Sequence, residues 1–566
     1  MTDHNYIVAD AILDTLKLHG VSTIFGYPGG AILPFYDVLP KHKEIQHVLV
    51  RNEQGAAFAA QGWARSTGKI GVCCSTSGPG ATNLITGIAD AYLDSIPILC
   101  LTGQVPLPTI GNDMFQEVDM TGVTLNITKH NYLLDSPADV VQVLTEAIHI
   151  ATTGRPGPVH IDMPKDIQAA PHSRHFKIPK LDFSDTDPMM EAYKPLEEST
   201  IERVVSLLEM AERPVLLIGQ GVKFSGAEEE VRTLVDLLGI PTINTLLGKG
   251  IIPHDSEFSL GMLGMHGFYH ANLAAHNADL ILNIGSRFDD RIVGRYDAFG
   301  KKARLIHVDI DRSEFGKVVA VDMPIHCDAK LFVKELLAHP NLKKLQIENW
   351  REQIHDWDKK HPYNPKPGSF AIRDCYAALM EEIKKDPKNY IVVADVGQHE
   401  MWASLSMDVP EPYQWLCSGG AGTMGFSLPN AIGAAFAHPE KTVICVVGDG
   451  GIQMNLQEFG VLMDYKPDIK VCIMNNSYLG MVRQWQELFY DHNYSGVEIT
   501  SPDFKKVAEG YDLPAMTVES MDGLDSSIAS IFSKRGPMIA EFRVEKEENV
   551  FPMVPGGKTL GEVIVS

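Results

Sequence analysis

No apolar stretch in the 566 residues approaches the ~20 needed to cross a bilayer, so the sequence predicts no membrane span and no membrane partner. Basic residues are scarce beside acidic ones, 49 against 72, and the net charge of −23 argues against binding nucleic acid or anionic lipid surfaces. An anionic small ligand would need a locally built site. Cysteine is sparse: Cys73, Cys74, Cys100, Cys327, Cys375, Cys417, Cys445 and Cys472, with no CxxC pair. Several lie in apolar runs such as TVICVVG, which reads as buried free thiols in a reducing compartment. The opening MTDHNYIVAD has no basic region leading into an apolar one, so no signal peptide is read there and a cytoplasmic location is expected. Short-period repeats are also missing. With 45% hydrophobic and 21% charged residues, composition is that of a globular chain, long enough for about three or four domains.

What is present is an alternation of short apolar runs with helix-like segments. The runs are HVLV (47–50), IGVCCST (70–76), IPILCLTG (96–103), PVLLIGQG (214–221), DLILNIGS (279–286), RLIHVDI (304–310), YIVVADVG (390–397), TVICVVGDG (442–450) and IKVCIMNN (469–476). Runs of this length that end in Gly, Asp or Asn predict buried parallel strands, and their spacing suits βαβ units. The fold class is α/β. Two polar, proline-bearing stretches, 168–198 and 339–369, read as linkers and divide the chain into 1–170, 190–340 and 365–566.

The third segment carries the most informative chemistry. An apolar strand ends in Gly448-Asp449-Gly450, and a second ends in Asn475-Asn476 after an interval of 24 residues (451–474). Both ends belong at the carboxyl edge of one parallel sheet, where ligands bind. The Asp449 carboxylate, the Asn476 amide oxygen and a backbone carbonyl near Tyr478 form a hard-oxygen set suited to Mg²⁺, with water and diphosphate oxygens completing the shell. Gly450 and Gly451 admit close approach of phosphates to backbone N–H groups. Gly-Asp-Gly alone would be a helix cap; together with the strand-terminal Asn pair it resembles the signature of thiamin-diphosphate enzymes. By that resemblance Asp449, Asn476 and the Tyr478 carbonyl hold Mg²⁺, which anchors the cofactor diphosphate.

Such cofactor chemistry also needs a carboxylic acid against the pyrimidine ring, in a dry pocket that raises its pKa. Glu53, in RNEQGAAFAAQGWAR, follows one strand run and opens a small-residue helix; by itself it would be a helix-dipole partner. The segment resembles the RxEQGA helix of thiamin-diphosphate enzymes, with Asn52 where many relatives carry His. Pro79 and Asn83, in STSGPGATN, match positions that line the pyrimidine side. In this superfamily the first domain of one subunit and the third domain of another enclose the cofactor, so the resemblance implies at least a homodimer, with a tetramer left open.

Over essentially its whole length the chain resembles the family of acetohydroxyacid (acetolactate) synthase catalytic subunits. The matching strings include FGYPGGAILPFYD, TGRPGPVHIDMPKD, LGMLGMHG, SRFDDR, ADVGQHEMW, GGAGTMGFSLPNAIGAA, GMVRQWQELFY and PMVPGGK. The fold implied is three doubly wound parallel-sheet domains: a pyrimidine-binding thiamin fold, a central FAD-binding domain and a diphosphate-binding thiamin fold. The reaction implied is decarboxylation of pyruvate and transfer of its two-carbon unit to a second pyruvate or 2-oxobutyrate. It gives 2-acetolactate or 2-aceto-2-hydroxybutyrate, on the route to valine, leucine and isoleucine. Other enzymes of this architecture are the alternatives: pyruvate oxidase, 2-oxo acid decarboxylase or catabolic acetolactate synthase.

The resemblance assigns further residues. Val396, Gly397, Gln398, His399, Gly422, Met424, Leu479, Gly480, Met481 and Val482 join the thiamin-diphosphate site, Met424 supporting the bent cofactor. Tyr27 and Gly30, in GYPGGA, fall near the reacting carbon. Arg291 matches the carboxylate-binding arginine, and a guanidinium suits a bidentate pair. Trp485 matches the residue that favours the extra methyl of 2-oxobutyrate, worth ~1–3 kcal/mol in an apolar pocket. Met265, Phe115 and Gln116 are lining residues and Lys165 a channel-mouth residue; Met114 stands where relatives more often have a small side chain. A lone GxG in PVLLIGQGV is weak evidence for a nucleotide. GMHG with SRFDDR resembles the FAD-containing members, implicating Arg155, Gly219, Gly221, Thr245, Leu246, Met265, His266, Gly285, Arg287, Asp289, Arg291, Asp309 and Asp328. The flavin is expected to be structural, since the reaction has no net redox change. A small regulatory subunit is the expected partner.

Overall fold

Eighteen strands form three six-stranded sheets in the computed structural model, which describes residues 6–181 and 188–565. The first five residues, read above for a leader, and 182–187, part of the expected first linker, lie outside the described residues. The first sheet holds β1 (Thr23–Gly26), β2 (Gln46–Leu49), β3 (Gly71–Ser75), β4 (Ile98–Gln104), β5 (His130–Leu133) and β6 (Val159–Pro164). The second holds β7 (Pro214–Ile218), β8 (Thr242–Asn244), β9 (Ser259–Met262), β10 (Leu280–Ile284), β11 (Arg304–Asp309) and β12 (Met323–His326). The third holds β13 (Tyr390–Ala394), β14 (Trp415–Leu416), β15 (Thr442–Gly448), β16 (Ile469–Asn475), β17 (Ala515–Val518) and β18 (Met538–Arg543).

All pairings within these sheets are parallel. The first sheet runs β2-β1-β3-β4-β6-β5 and the third β14-β13-β15-β16-β18-β17, which is the same topology repeated. The middle sheet runs β12-β11-β10-β7-β8-β9, the dinucleotide-binding order 3-2-1-4-5-6. Its order reverses between β7 and β10, and there Gly219, Gly221 and Gly285 interlock. A Cβ on Gly219 would lie 2.2 Å from the Gly285 oxygen, and one on Gly221 2.7 Å from the Gly285 Cα.

The first and third domains share a core. Helix Glu53–Thr67 lies on helix Ser427–Ala437, with Phe58, Ala59, Phe426, Leu428 and Ala431 all buried in one cluster. Contact is backbone to backbone: a Cβ on Gly62 would lie 1.9 Å from the Asn430 carbonyl oxygen, and one on Gly433 1.9 Å from that of Ala59. The other face of the third sheet packs with the middle domain.

The stretch 339–369, expected as a linker, contains helix Glu348–Lys360. Its charged sequence hides a narrow apolar stripe: Trp350 and Ile354 are buried, and the Trp350 indole donates to the Pro214 carbonyl of the middle domain at 3.2 Å. The end of the chain also crosses domains, since Val554 N donates to the Met265 carbonyl at 2.7 Å and Arg295 N to that of Lys558 at 2.8 Å. All eight cysteines are buried and free, and among the described residues no helix is long and apolar enough to cross a membrane.

Gly433→Ala is expected to cost about 1–3 kcal/mol, because the added methyl meets a carbonyl that cannot move without parting two helices. A lowered thermal midpoint checks it; Gly510→Ala, whose Cβ would meet nothing within 4 Å, should leave the midpoint unchanged.

Candidate active site

Three neighbouring strands of the third sheet, β13, β15 and β16, deliver their carboxyl ends side by side. After β13 come Asp395, Val396 and Gly397, the last at φ +143°, which only glycine adopts readily. After β15 the short helix Asp449–Ile452 begins at once, and after β16 comes Asn476. Asp449 is 1% exposed and accepts a 2.7 Å hydrogen bond from the Ser501 hydroxyl. Burial pushes its carboxyl up to about 6, against the pull of Ser501 and the backbone of Asn476. No basic side chain among the described residues pairs with it. A buried carboxylate without a counter-cation fits a divalent ion, and the donors available beside it are amide and carbonyl oxygens.

The surrounding residues fix this corner. His399 Nε2 accepts from Gly448 N at 3.2 Å, and burial pushes its imidazole pKa down, leaving it neutral. Gln398 donates to Gln484 Oε1 at 2.8 Å and to the Glu548 carbonyl at 2.9 Å, while its own oxygen faces Asn476 Nδ2 at 3.5 Å. Asn476 Oδ1 accepts from Tyr478 N at 3.1 Å, across Ser477 at φ +60°. Met424 reaches over from the glycine-rich loop, its methyl 3.6 Å from where a Gly450 Cβ would stand, and Leu479 lies 2.9 Å from the same point.

One cavity of about 920 Å³ connects this corner to the middle domain. It is lined by all the thiamin-site residues expected from the third domain, by Trp485, and by every expected flavin residue except Gly219, which is turned into the glycine crossing. Two buried polar atoms on the middle-domain wall, His266 Nδ1 and Ser286 Oγ, have no protein partner. With the dinucleotide strand order, they fit a polar dinucleotide such as FAD. Burial holds His266 neutral, pushed down to about 4. Arg155 pairs with Glu314 at 2.6 Å and Asp311 at 3.2 Å. At the cavity wall Asp289 and Thr245 each cap a single short turn, and Asp328 caps helix Ala329–Ala338. Asp309 accepts from Asp311 N at 2.9 Å. Arg291 lies over Met265, Nη1 to Sδ 3.7 Å, and makes no ion pair among the described residues. The chain's last segment closes this end, with Gly556 beside the Trp485 ring.

Apart from Arg155, the residues expected from the first domain do not line the cavity. Glu53, half-buried, begins its helix, and its Oε2 accepts from Asn83 Nδ2 at 2.9 Å. Asn52 caps that helix by accepting from Gln54 N at 2.9 Å, a local reason for this residue there. Gln116 packs on Gly78, and Tyr27, Gly30, Pro79, Asn83 and Met114 are exposed. Phe115 is 87% exposed. Lys165 opens the short helix Lys165–Gln168, half-buried. This chain therefore places Glu53 on an open face and the Asp449 corner in a cavity.

Two contributors have no local sequence signal, because each acts on a distant segment. Ser501 holds Asp449. Glu458, buried, accepts from Arg51 N and Asn52 N at 3.0 Å each and so fixes the turn that presents Glu53. Burial pushes the Glu458 carboxyl up to about 7. Glu400 lines the cavity with its Oε1 unpartnered.

Comparison with known proteins bears on these features. Family models described as "Thiamine pyrophosphate enzyme" match three times: the N-terminal TPP binding domain over residues 7–123, the central domain over 201–336 and the C-terminal TPP binding domain over 395–542. The chain is 43% identical to the acetolactate synthase large subunit of Porphyra purpurea, covering 98% of this chain and 94% of that protein. It is 43% identical to the large subunit of Lactococcus lactis (98% and 95% covered). Identity to the probable large subunit of Methanocaldococcus jannaschii is 44%, with the same coverage.

A Cβ on Gly480 would lie 2.1 Å from Gln398 Oε1 and 2.8 Å from Asn476 Nδ2, in a side-chain cluster tied at both ends. Gly480→Ala is expected to displace Asn476 and weaken Mg²⁺-dependent binding of thiamin diphosphate by about tenfold or more; equilibrium dialysis measures it.

Proposed function

The chain belongs to the thiamine pyrophosphate enzymes, among the acetolactate synthase large subunits, and from that membership we propose that it decarboxylates one 2-oxo acid and joins the remaining two-carbon unit to another. With pyruvate in both roles the balance is two pyruvates and one proton to 2-acetolactate and CO₂; with 2-oxobutyrate as acceptor the product is 2-aceto-2-hydroxybutyrate. The observation that carries this reading is the single cavity running from the Asp449–Asn476 corner to Arg291 and Trp485. That the Asp449–Asn476 corner and the Arg291 guanidinium open into the same enclosure supports reading them as the diphosphate and carboxylate ends of one site.

Thiamin diphosphate bound there would supply a carbon nucleophile for the 2-oxo carbon and a sink for the electron pair left when CO₂ departs. The chain does the rest. Asp449, Asn476 and the Tyr478 carbonyl would hold Mg²⁺ for the diphosphate, and the Gly450 and Gly451 backbones would admit its oxygens. Met424 and Val396 would support the rings. Glu53 would hydrogen-bond the pyrimidine nitrogen, with a second surface packed over it to exclude water. Arg291 pairs with the acceptor's carboxylate, and Trp485 bounds the space for its alkyl group. The middle-domain wall takes FAD in a structural role.

Glu53 lies on an open face with Tyr27, Pro79 and Phe115, so a complete site needs a second copy of the chain, whose cavity closes against that face. The shortest assembly with two complete sites is a dimer. A small regulatory chain is the expected further partner, and the setting is cytoplasmic branched-chain amino-acid biosynthesis.

Purified protein given thiamin diphosphate, Mg²⁺, FAD and pyruvate should form acetolactate; free acetaldehyde or acetyl phosphate as the main product would overturn the reading. Glu53→Gln should lose at least about a hundredfold in kcat while still binding thiamin diphosphate. Arg291→Lys should raise the KM for the acceptor about tenfold or more and leave cofactor affinity unchanged; an equal loss of both would remove Arg291 from the acceptor site.

A further inference from the structure

The loop Ser418–Met424, which carries Gly422 and Met424 into the cavity, lies between β14 and helix Ser427–Ala437 and belongs to no strand or helix. Its hold comes from another domain. The Ser418 and Thr423 hydroxyls both donate to Asp90 Oδ1, the latter at 2.8 Å. Gly419 N and Gly420 N donate to the two oxygens of Asp94, at 3.0 and 2.7 Å. Asp90 and Asp94 end the first-domain helix Ile85–Leu93, and both side chains are fully enclosed. Behind them Arg65, from the Glu53 helix, donates to Asp94 at 2.7 Å, to Asp90 at 3.2 Å and to Gln61 at 2.8 Å. Its guanidinium lies 5.1 Å from the centre of the Phe426 ring, just past the loop.

We propose that Asp90 and Asp94, braced by Arg65, are positioning residues for the cofactor. They set the loop Ser418–Met424 and with it the place of Gly422 and Met424 against the Gly-Asp-Gly turn. The inference rests on the thiamin-diphosphate reading of the cavity given above. Two enclosed carboxylates beside one guanidinium are costly to bury, and burial together with Asp94 pushes the Asp90 carboxyl pKa up. Hydrophobic side chains would fill the same space at lower cost. What carboxylates add is direction: their oxygens receive two backbone N–H groups and two hydroxyls of a loop with no ladder of its own. Gly420 tightens the arrangement, since a Cβ there would meet Asp94 at 3.0 Å and Arg287 of the middle domain at 2.8 Å. One enclosed cluster thereby registers three domains around the cavity, and the first domain serves a cofactor site twice. Glu53 serves the site of a neighbouring chain, and Asp90 with Asp94 serves the site of its own.

The test uses the full-length protein and titrates thiamin diphosphate, with Mg²⁺ present, by quenching of tryptophan fluorescence. Asp90→Ala, Ser418→Ala and their double variant are compared with the unaltered chain. Thr423→Val gives a second loop-side change should Asp90→Ala fail to fold. Each single variant is expected to weaken cofactor affinity by about tenfold, and the double variant by no more than the stronger single, because both remove one interaction. Saturating cofactor should restore kcat to within about threefold, a split that lost stability alone would not give. Unchanged affinity in variants with a lowered thermal midpoint would overturn the positioning role, as would additive losses in the double variant. Failure of the unaltered chain to bind thiamin diphosphate would instead overturn the site reading, and the positioning role with it.

Discussion

Two backbone carbonyls set the spacing on which the molecule depends: that of Asn430 against Gly62, and that of Ala59 against Gly433. With no side chain at either glycine, helix Glu53–Thr67 and helix Ser427–Ala437 touch along their backbones, and the first and third domains bury one core between them. The N-terminus of the first helix presents Glu53. The second helix follows directly on the loop that carries Gly422 and Met424. A shift in one contact would therefore move both Glu53 and the loop that carries Gly422 and Met424. Glu458 and the Asp90–Asp94–Arg65 cluster reinforce the same registration from either side.

The electrostatics follow a consistent rule. The chain carries a net charge of −23, yet every organic ligand argued for is anionic. Attraction is local: strand-end backbone N–H groups, one arginine without an ion pair at the substrate end, and a carboxylate placed to bring in a cation. Asp449 illustrates the last. Its burial without a counter-ion is unfavourable in the protein alone, and a divalent ion held there would turn that cost into affinity. The acidic exterior then governs solubility and which surfaces the protein avoids.

How much of this was legible in the chain depends on where the partner of each residue lies. Runs such as TVICVVG are apolar on both faces because the strand is covered on both, and most of the nine strands were visible for that reason; β2, at a sheet edge and mostly uncovered, showed only as the short run HVLV. VHIDMP and MIAEFR are equally central but bury His160, Asp162 and Glu541, each satisfied by a neighbouring strand or loop, and those polar letters masked them. The Asp449–Asn476 corner could be read because its members end adjacent strands and so sit at a regular interval. The 3-2-1-4-5-6 order of the middle sheet could not, since it is a matter of which strands pair. Helix Glu348–Lys360 was masked by its charges, with only Trp350 and Ile354 turned inward. Ser501, Asp90, Asp94 and Glu458 were invisible because each meets its partner across at least 50 residues of sequence.

On the function proposed, each active site joins the Glu53 face of one chain to the Asp449 cavity of another. Mixing the inactive variants Glu53→Gln and Asp449→Asn under conditions that let subunits exchange tests it most directly. If sites are shared, each mixed dimer has one site with both residues intact, and random exchange at equal amounts restores about a quarter of the unaltered activity. A mixture that stays as inactive as its two components would contradict the claim.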